Sequence, residues 1–163
     1  MSESYQVRLD QRHHVFSAAH FISFQGNLCE RLHGHNYRVW VEVEAELGEN
    51  QYVIDFITLS QAVKSMTDQL DHRTLLPTLH PVLRVVADQR EVEVRFADRR
   101  WLFPREDCVL LPIPNTTTEL IARHLARGLL ENLRERLGTP ARLVRVGVDE
   151  NHGQWGICEL RDE

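Results

Sequence analysis

The chain has few of the features that mark secreted, membrane or nucleic-acid-binding proteins. It carries three cysteines in 163 residues, too few for a disulfide scaffold, which favours a reducing compartment. No apolar run approaches the roughly 18 residues of a membrane span, and the polar N-terminal segment lacks a signal-peptide pattern. The net charge of −5 argues against general nucleic-acid binding. We therefore expect a cytoplasmic protein with no membrane or nucleic-acid partner.

What the chain does contain is the composition of an ordinary globular domain. Apolar residues make up 42% and charged residues 26% of the sequence. The length suits one domain with a substantial core, and no repeat, low-complexity tract or Gly/Ser linker divides it. We therefore expect a single domain over residues 1–163.

Hydrophobic periodicity predicts an α+β fold. Alternating apolar residues predict strands over 5–20, 35–47, 142–148 and 155–160, and shorter strands over 82–86, 91–96 and 100–103. Helical spacing predicts one helix over 58–70. A second helix is expected to begin with a Thr116/Glu119 capping box and to end before Gly138-Thr139-Pro140. This pattern favours an antiparallel sheet with two helices covering one face.

Histidines provide the strongest functional signal. His33 and His35 are two residues apart, so on a strand they point to the same side. His20 ends another alternating run and offers a third imidazole. Three histidines with one open position are typical of a catalytic zinc site. The alternative is that they are ordinary core or surface histidines.

Cys29 precedes this histidine pair by four residues. Near Zn²⁺ its thiol would ionise more easily and act as a base or nucleophile. Two other interpretations remain open at this point. Cys29 would be a small buried hydrophobic residue, as most free cysteines are, or a fourth ligand that closes a structural zinc site.

Two acidic positions are further candidates. Asp71-His72 ends the first predicted helix, and a carboxylate beside an imidazole can orient it for proton transfer. The same pair also suits an ordinary helix end. Glu150 follows the predicted strand 142–148, where a carboxylate can accept paired N–H groups from a planar guanidine-like edge. A solvated turn acid would give the same pattern.

Taken together, these residues resemble the family of 6-pyruvoyltetrahydropterin and 6-carboxytetrahydropterin synthases. The matching segments follow the family's order and cover nearly the whole chain outside one insertion at about 78–114. They are FSAAH (16–20), CERLHGHNY (29–37), VIDF (53–56), LDHRTL (70–75), TTTEL (116–120) and VDEN (148–151).

The resemblance implies a tunnelling fold (T-fold), in which protomers assemble into closed barrels, commonly homohexamers. It implies that the three histidines (His20, His33 and His35) bind Zn²⁺ and that Cys29 is catalytic. Asp71 and His72 would form a proton relay in a site shared between subunits. Glu150 would anchor the pterin ring, assisted by Thr117.

The activity implied is zinc-dependent conversion of 7,8-dihydroneopterin triphosphate to 6-carboxy-5,6,7,8-tetrahydropterin, a step toward queuosine. Pyruvoyl-type synthesis, aldolase-like side-chain cleavage and non-catalytic pterin binding are the alternatives. Two departures bear on this choice. The 78–114 segment, expected to be β-hairpin-like, is longer than usual, and Glu30 adjoins Cys29 where some relatives use a glutamate for cleavage. An exposed loop acid is the favoured interpretation of Glu30.

Overall fold

A computed structural model describes residues 3–26, 28–134, 136–137 and 140–161 of the chain. The helices within these ranges are α1 (Phe56–Leu70) and α2 (Thr118–Leu133), and neither is long and apolar enough to cross a membrane. The strands are β1 (Tyr5–Leu9), β2 (Val15–His20), β3 (Ser23–Phe24), β4 (Leu28–Cys29), β5 (His33–Ala45), β6 (Arg73–Pro77), β7 (Arg84–Ala87), β8 (Glu91–Phe96), β9 (Arg99–Pro104), β10 (Cys108–Leu111), β11 (Leu143–Asp149) and β12 (Trp155–Arg161).

Seven of these strands form the main sheet, in the order β10-β6-β2-β5-β11-β12, with β1 also paired to β5. The predicted α+β class with two helices is confirmed. One difference is that β6 pairs in parallel with both β2 and β10, whereas the other pairs are antiparallel. Parallel neighbours require a long connection. Here α1 precedes β6, and the inserted strands β7–β9 separate β6 from β10.

Strand β5 is the centre of the sheet and shows the predicted alternation. Its odd-numbered residues from Tyr37 to Ala45 are all buried against the helices. On the opposite face, Trp40 and Glu42 are also buried. The Arg8 guanidinium covers the Trp40 ring at 4.4 Å, and Arg145 pairs with Glu42. Around Trp40 and Glu42, both faces of the central strand are therefore protected from water.

The predicted strand 5–20 is split into two segments that follow the same edge of β5. Tyr5–Leu9 pairs with the end of β5, and Val15–His20 pairs with its beginning. Between them the chain turns, with the His14 N–H donating to the Gln11 carbonyl at 3.0 Å. Pairing resumes where the Val39 N–H donates to the His14 carbonyl at 2.9 Å. Alternation alone does not reveal such a local turn.

Two amphipathic helices cover one face of the sheet. Helix α1 begins two residues before the predicted start, because the Asp55 side chain accepts the Thr58 N–H at 2.8 Å and caps the helix. The buried residues of α1 and α2 pack against β5 and β11 in one core. Helix α2 ends at Leu133 with Arg134 as its C-cap. Of the predicted Gly138-Thr139-Pro140 stop, Gly138 and Thr139 lie outside the described residues.

The predicted capping box at α2 is wrong. The N-cap is Thr117, and it makes no side-chain capping hydrogen bond. Thr116 is fully buried, and its hydroxyl donates to the Phe21 carbonyl at 3.1 Å. The Thr116 side chain, predicted to cap α2, binds instead to the backbone that follows β2.

The insertion forms a small antiparallel sheet of three strands, β7-β8-β9. The inner face of β8 contributes Val92, Val94 and Phe96 to a second core, which also contains Phe21 and Leu76. Phe21 directly follows the last residue of β2. The inserted sheet thus packs beside the end of the strand that carries His20.

Gly156 lets β12 lie directly against the N-terminus of α2. A Cβ atom at this position would come within 2.5 Å of the Glu119 backbone nitrogen and the Thr118 backbone carbon. We predict that Gly156→Ala lowers the free energy of unfolding by about 1–3 kcal/mol, because the helix must shift. Urea denaturation measures the change.

Gly48→Ala is the matched control for this substitution, since its Cβ would meet only the Tyr52 carbonyl oxygen at 3.7 Å. Equal unfolding free energies for Gly156→Ala and the wild-type protein would contradict the close approach of β12 and α2.

Candidate active site

Three histidines meet at one end of the main sheet. The register of β2 against β5 places His20 opposite His33 and Ala18 opposite His35. Alternate residues share a face, so all three imidazoles project from the helix-covered side. The ring centroids of His20 and His33 are 4.8 Å apart, as are those of His33 and His35, and His20 to His35 is 5.2 Å.

Glu150 completes this group from the loop after β11. Its Oε1 lies 3.2 Å from His35 Nε2, a close approach without hydrogen-bond geometry. The ligand atoms of Glu150 and the three histidines all lie within 4.8 Å of one another among the described residues. The four side chains can therefore hold a metal ion. Cys29, considered above as a fourth ligand, is not in this group.

The loop that presents Glu150 is shaped by its neighbour Asp149. The Asp149 side chain is only 2% exposed. Its carboxylate accepts the backbone N–H groups of Asn151, Gly153 and Gln154 at 3.0–3.2 Å. A carboxylate that closes a turn in this way fixes the backbone of the loop. Glu150 is thus held on a defined turn beside the histidines.

Hydrogen bonds at the outer nitrogens prepare the histidines for metal binding. The Nδ1 atoms of His20 and His33 lie 2.9 Å and 2.8 Å from the carbonyl oxygens of Thr116 and Arg31, respectively. Because a carbonyl only accepts, each Nδ1 must carry the proton and Nε2 keeps its lone pair. Burial lowers the pKa of His20 to about 4, so its ring is neutral at neutral pH.

The inner nitrogens supply an independent test of fit for a metal. Nε2 of His20 and Nε2 of His35 are buried, and no described residue provides either with a hydrogen bond. Unpaired buried nitrogens are costly unless something binds them. A cation at the centre of the cluster would satisfy both, and two imidazoles already have the proton arrangement that a metal ligand needs.

Tyr37 is a site residue that the sequence reasoning did not single out. Its ring centroid lies 5.6 Å from that of His35 and 5.7 Å from that of His20. The hydroxyl is buried, and none of the described residues hydrogen-bonds to it. Burial raises the pKa of Tyr37, so the group stays protonated and available as a donor. Its only sequence signal is that it shares the parity of His33 and His35.

Cys29 and Glu30 lie at the end of a short hairpin formed by β3 and β4. Both residues are half-buried. Burial raises the pKa of the Cys29 thiol, and the nearby Arg99 guanidinium opposes this effect. Glu30 is not a free loop acid: its Oε2 accepts the Ile22 N–H at 3.3 Å and lies 3.9 Å from His33 Nε2. The hairpin therefore brings an acid beside the histidine cluster.

Asp71 and His72 form the contact that their sequence suggested. Asp71 Oδ2 lies 2.8 Å from His72 Nδ1, and Asp71 Oδ1 accepts the Ser17 N–H at 2.7 Å. His72 has a left-handed backbone with φ of 56° and donates its N–H to the Ser17 carbonyl. The His72 side chain is 82% exposed. The dyad is thus fixed to β2, while its imidazole faces outward.

The cleft beside this dyad is lined by residues of both faces of the sheet. His72 lines this cleft of about 440 Å³ together with Ser17 and Asn36, which share one parity, and with His35, which has the other. Among the described residues, Asp71 and His72 are not in the group whose ligand atoms lie within 4.8 Å of one another. The structure therefore brings the three histidines and Glu150 together, and it leaves the His72 imidazole outside that group.

Thr117 lies beside the cluster at the N-terminus of α2. It is half-buried, and its neighbour Thr116 supplies the carbonyl that holds His20 Nδ1. The contribution of Thr116 is a long-range backbone contact, which no residue pattern signals. The helix N-terminus is thereby tied to the end of β2, close to the metal-type ligands.

The chain is similar to known proteins in both sequence and fold. The family model described as 6-pyruvoyl tetrahydropterin synthase matches residues 10–161. A putative 6-carboxy-5,6,7,8-tetrahydropterin synthase of Methanocaldococcus jannaschii is 32% identical over 88% of this chain and 87% of that protein. The crystal structure of 6-pyruvoyl tetrahydropterin synthase from Plasmodium vivax has a TM-score of 0.89 at 29% identity, covering 99% of this chain and 100% of that chain.

Two further similarities concern glutamate and side-chain cleavage. Another structure of the Plasmodium vivax protein, with a TM-score of 0.87 at 29% identity, is a catalytic-residue mutant in which alanine replaces a glutamate. A dihydroneopterin monophosphate aldolase of Pyrococcus furiosus is 40% identical over 60 residues, which is 37% of this chain and 50% of that protein. Proteins with a catalytic glutamate or an aldolase activity are thus among those similar to this chain.

Removing one imidazole from the cluster tests whether it binds a metal. We predict that His33→Ala binds less divalent metal than wild type, because it removes one of the three imidazole donors of the group. Elemental analysis of the purified protein measures the metal-to-protein ratio. His13→Ala is the control, since His13 is exposed and outside the group. Equal metal content in the two variants would contradict the site.

The Asp71 contact predicts a pH-dependent stability difference. The Ser17 N–H holds the pKa of Asp71 below its ordinary value of 3.8. Because the folded state favours the ionised form, this contact stabilises the protein above pH 3.8 and is lost as pH falls through the folded pKa. Asp71→Asn, which resembles the protonated acid, is therefore expected to be less stable than wild type near neutral pH.

Thermal unfolding at about pH 7 and about pH 3 measures this difference, which should shrink at the lower pH. Asp68→Asn is the control, because Asp68 pairs with Lys64 on the exposed face of α1. A stability difference between wild type and Asp71→Asn that is the same at both pH values would contradict the charged contact.

Proposed function

The chain belongs to the 6-pyruvoyl tetrahydropterin synthase family, and on this basis we propose that it is a zinc-dependent 6-carboxy-5,6,7,8-tetrahydropterin synthase. Its substrate is 7,8-dihydroneopterin triphosphate, and its product serves deazapurine (queuosine) synthesis. The observation that carries the proposal is the convergence of three imidazoles on one point beside the Cys29 hairpin. The name of the archaeal relative supports the carboxy-forming reaction.

Zinc is the metal that the donor set favours. Imidazole nitrogens are typical zinc ligands, and three histidines leave a position for substrate. His20, His33 and His35 would hold the ion. When bound, zinc supplies Lewis acidity, which makes protons near the substrate's side-chain oxygens easier to remove.

Cys29 is the proposed base on the side-chain carbons. Cys29 directly precedes Glu30, whose carboxylate lies 3.9 Å from His33 Nε2. Burial raises the pKa of the Cys29 thiol, so a nearby positive charge is needed to favour the thiolate. Asp71 holds His72 at 2.8 Å, which orients the imidazole to pass a proton to or from the pterin ring. Triphosphate then leaves by elimination, and one water cleaves the remaining dicarbonyl side chain, so that its oxygen enters the carboxyl group and acetaldehyde is released.

The outward orientation of His72 supports a site shared between copies of the chain. Within one protomer, the His72 side chain is 82% exposed and is not in the group formed by the three histidines and Glu150. A homo-oligomer, a hexamer by resemblance to the family, would bring the His72 of one copy to the cluster of another. This assembly is part of the proposal, together with a cytoplasmic location.

Glu150 is the proposed anchor of the pterin ring, with Thr117 assisting. A carboxylate matches the paired N–H groups of the amino-pyrimidine edge. Glu150 retains 22% side-chain exposure beside His35, so a ligand entering the cluster can reach it. The turn closed by Asp149 fixes its position before substrate arrives.

A second candidate is aldolase-like cleavage of the dihydroneopterin side chain. The specific observation is Glu30, whose carboxylate lies 3.9 Å from His33 Nε2 and keeps 36% exposure. Glu30 is therefore placed to move protons at the same position as Cys29. The similarity to an archaeal aldolase supports this alternative.

Product analysis distinguishes the two reactions. Zinc-loaded protein is incubated with 7,8-dihydroneopterin triphosphate, and the pterins are identified by mass spectrometry. For the synthase we expect a carboxytetrahydropterin product that Cys29→Ala reduces by about 100-fold or more, since proton transfer supplies about 10²–10⁴-fold. Glu30→Gln is the matched variant and should retain the product.

The opposite pattern would replace the leading function. A shortened pterin side chain whose formation depends on Glu30 and not on Cys29 identifies cleavage. A stable complex of zinc-loaded protein and pterin with no product would indicate a binding protein instead.

A further inference from the structure

The hairpin that carries Cys29 has little intrinsic stability. Strands β3 and β4 pair through only two residue pairs, Ser23 with Cys29 and Phe24 with Leu28. Phe24 and Leu28 are exposed, so this hairpin buries little apolar surface of its own. An isolated two-stranded hairpin is marginal in water. The position of the Cys29 thiol must therefore be fixed by contacts from elsewhere.

Arg99 in the inserted sheet supplies such a contact. Its Nη1 donates to the Cys29 carbonyl at 2.6 Å, and its Nη2 donates to the Glu30 carbonyl at 3.1 Å. These are the two residues with proposed chemical roles on the hairpin. A guanidinium presents several donors in a rigid fork, so it can hold two successive carbonyls in one orientation.

Arg99 is itself held by aromatic packing. Its guanidinium carbon lies 4.5 Å from the Trp101 ring centroid. Trp101 stacks on Phe21 at 4.9 Å, and Phe21 follows the metal-type ligand His20 in sequence. The chain of contacts therefore runs from the strand that carries His20, through the insertion, to the carbonyls of the hairpin.

The first strand of the hairpin is fixed separately. Asn115 Nδ2 donates to the Ser23 carbonyl at 2.8 Å. His80, which precedes the inserted strands, contacts the Ser23 hydroxyl. The two strands of the hairpin thus have different side-chain supports from outside the hairpin: Asn115 and His80 contact Ser23, and Arg99 contacts the Cys29–Glu30 segment.

We propose that Arg99 is a positioning residue that holds the Cys29–Glu30 end of the hairpin against the histidine cluster, and that this is the role of the inserted sheet. The inference rests on the proposed function, because it assigns the insertion to the site where the pterin reacts. Arg99 holds this segment through the two backbone carbonyls and does not itself belong to the histidine cluster.

The test compares Arg99→Gln and Arg99→Lys with Arg100→Gln. Arg100 is the matched control because it lies next to Arg99 on β9 and pairs with Glu93 on the exposed side of the small sheet. Hydrogen exchange of the hairpin amides, zinc content, kcat and KM for 7,8-dihydroneopterin triphosphate are measured for each variant. Hydrogen exchange and zinc content require no turnover.

For Arg99→Gln we expect hairpin amides to exchange about tenfold faster, because two charge-assisted hydrogen bonds are lost. We also expect kcat to fall about 100-fold with KM within about threefold, as misplacement of a reacting group predicts. Arg99→Lys can hold one carbonyl and should recover part of both values. Zinc content and all values for Arg100→Gln should match wild type.

The proposal is overturned if the kcat of Arg99→Gln equals that of Arg100→Gln and wild type, even if the hairpin amides of Arg99→Gln exchange faster. Equal losses in Arg99→Gln and Arg100→Gln also overturn it, because they would reflect general damage to the insertion. If wild-type protein does not convert the substrate, the proposed function fails. The exchange comparison alone then decides whether Arg99 holds the hairpin.

Discussion

Because β2 and β5 pair with His20 opposite His33, three imidazoles from two distant segments face one point. This register is the constraint on which the site depends. A slip of one residue would turn one strand's histidines to the other face, since side chains alternate. The buried residues Phe16 and Tyr37, paired further along the same strands, oppose such a slip. The hydrophobic core and the metal-type ligands are therefore specified by the same strand pairing.

Supports for this cluster come from elements that are far apart in sequence. The N-terminus of α2 contributes the Thr116 carbonyl to His20, and the close contact at Gly156 holds that helix end against β12. The loop after β11 contributes Glu150, and Asp149 closes that loop. Each support holds one of these side chains in place. His20 Nε2 and His35 Nε2 remain buried, and no described residue forms a hydrogen bond with either.

Much of this arrangement could be predicted from the sequence where local periodicity determines the structure. The alternation of β5 predicts its buried face and the common direction of His33 and His35, and helical spacing predicts α1 and α2. Periodicity does not identify partners, so the parallel pairing of β6 with β2 and β10 was not foreseen. The Thr116 and Arg99 contacts join residues about 70 to 96 positions apart, so no local pattern reveals them.

The separation of the ligands from the hairpin has an evolutionary consequence. The histidines belong to the main sheet, where a change of position would disturb the core. Cys29 and Glu30 belong to a two-pair hairpin supported by an inserted segment. Substitutions in that insertion can change the support of this hairpin without altering any of the three histidines. The Cys29–Glu30 segment can therefore diverge in a lineage that conserves the histidine cluster.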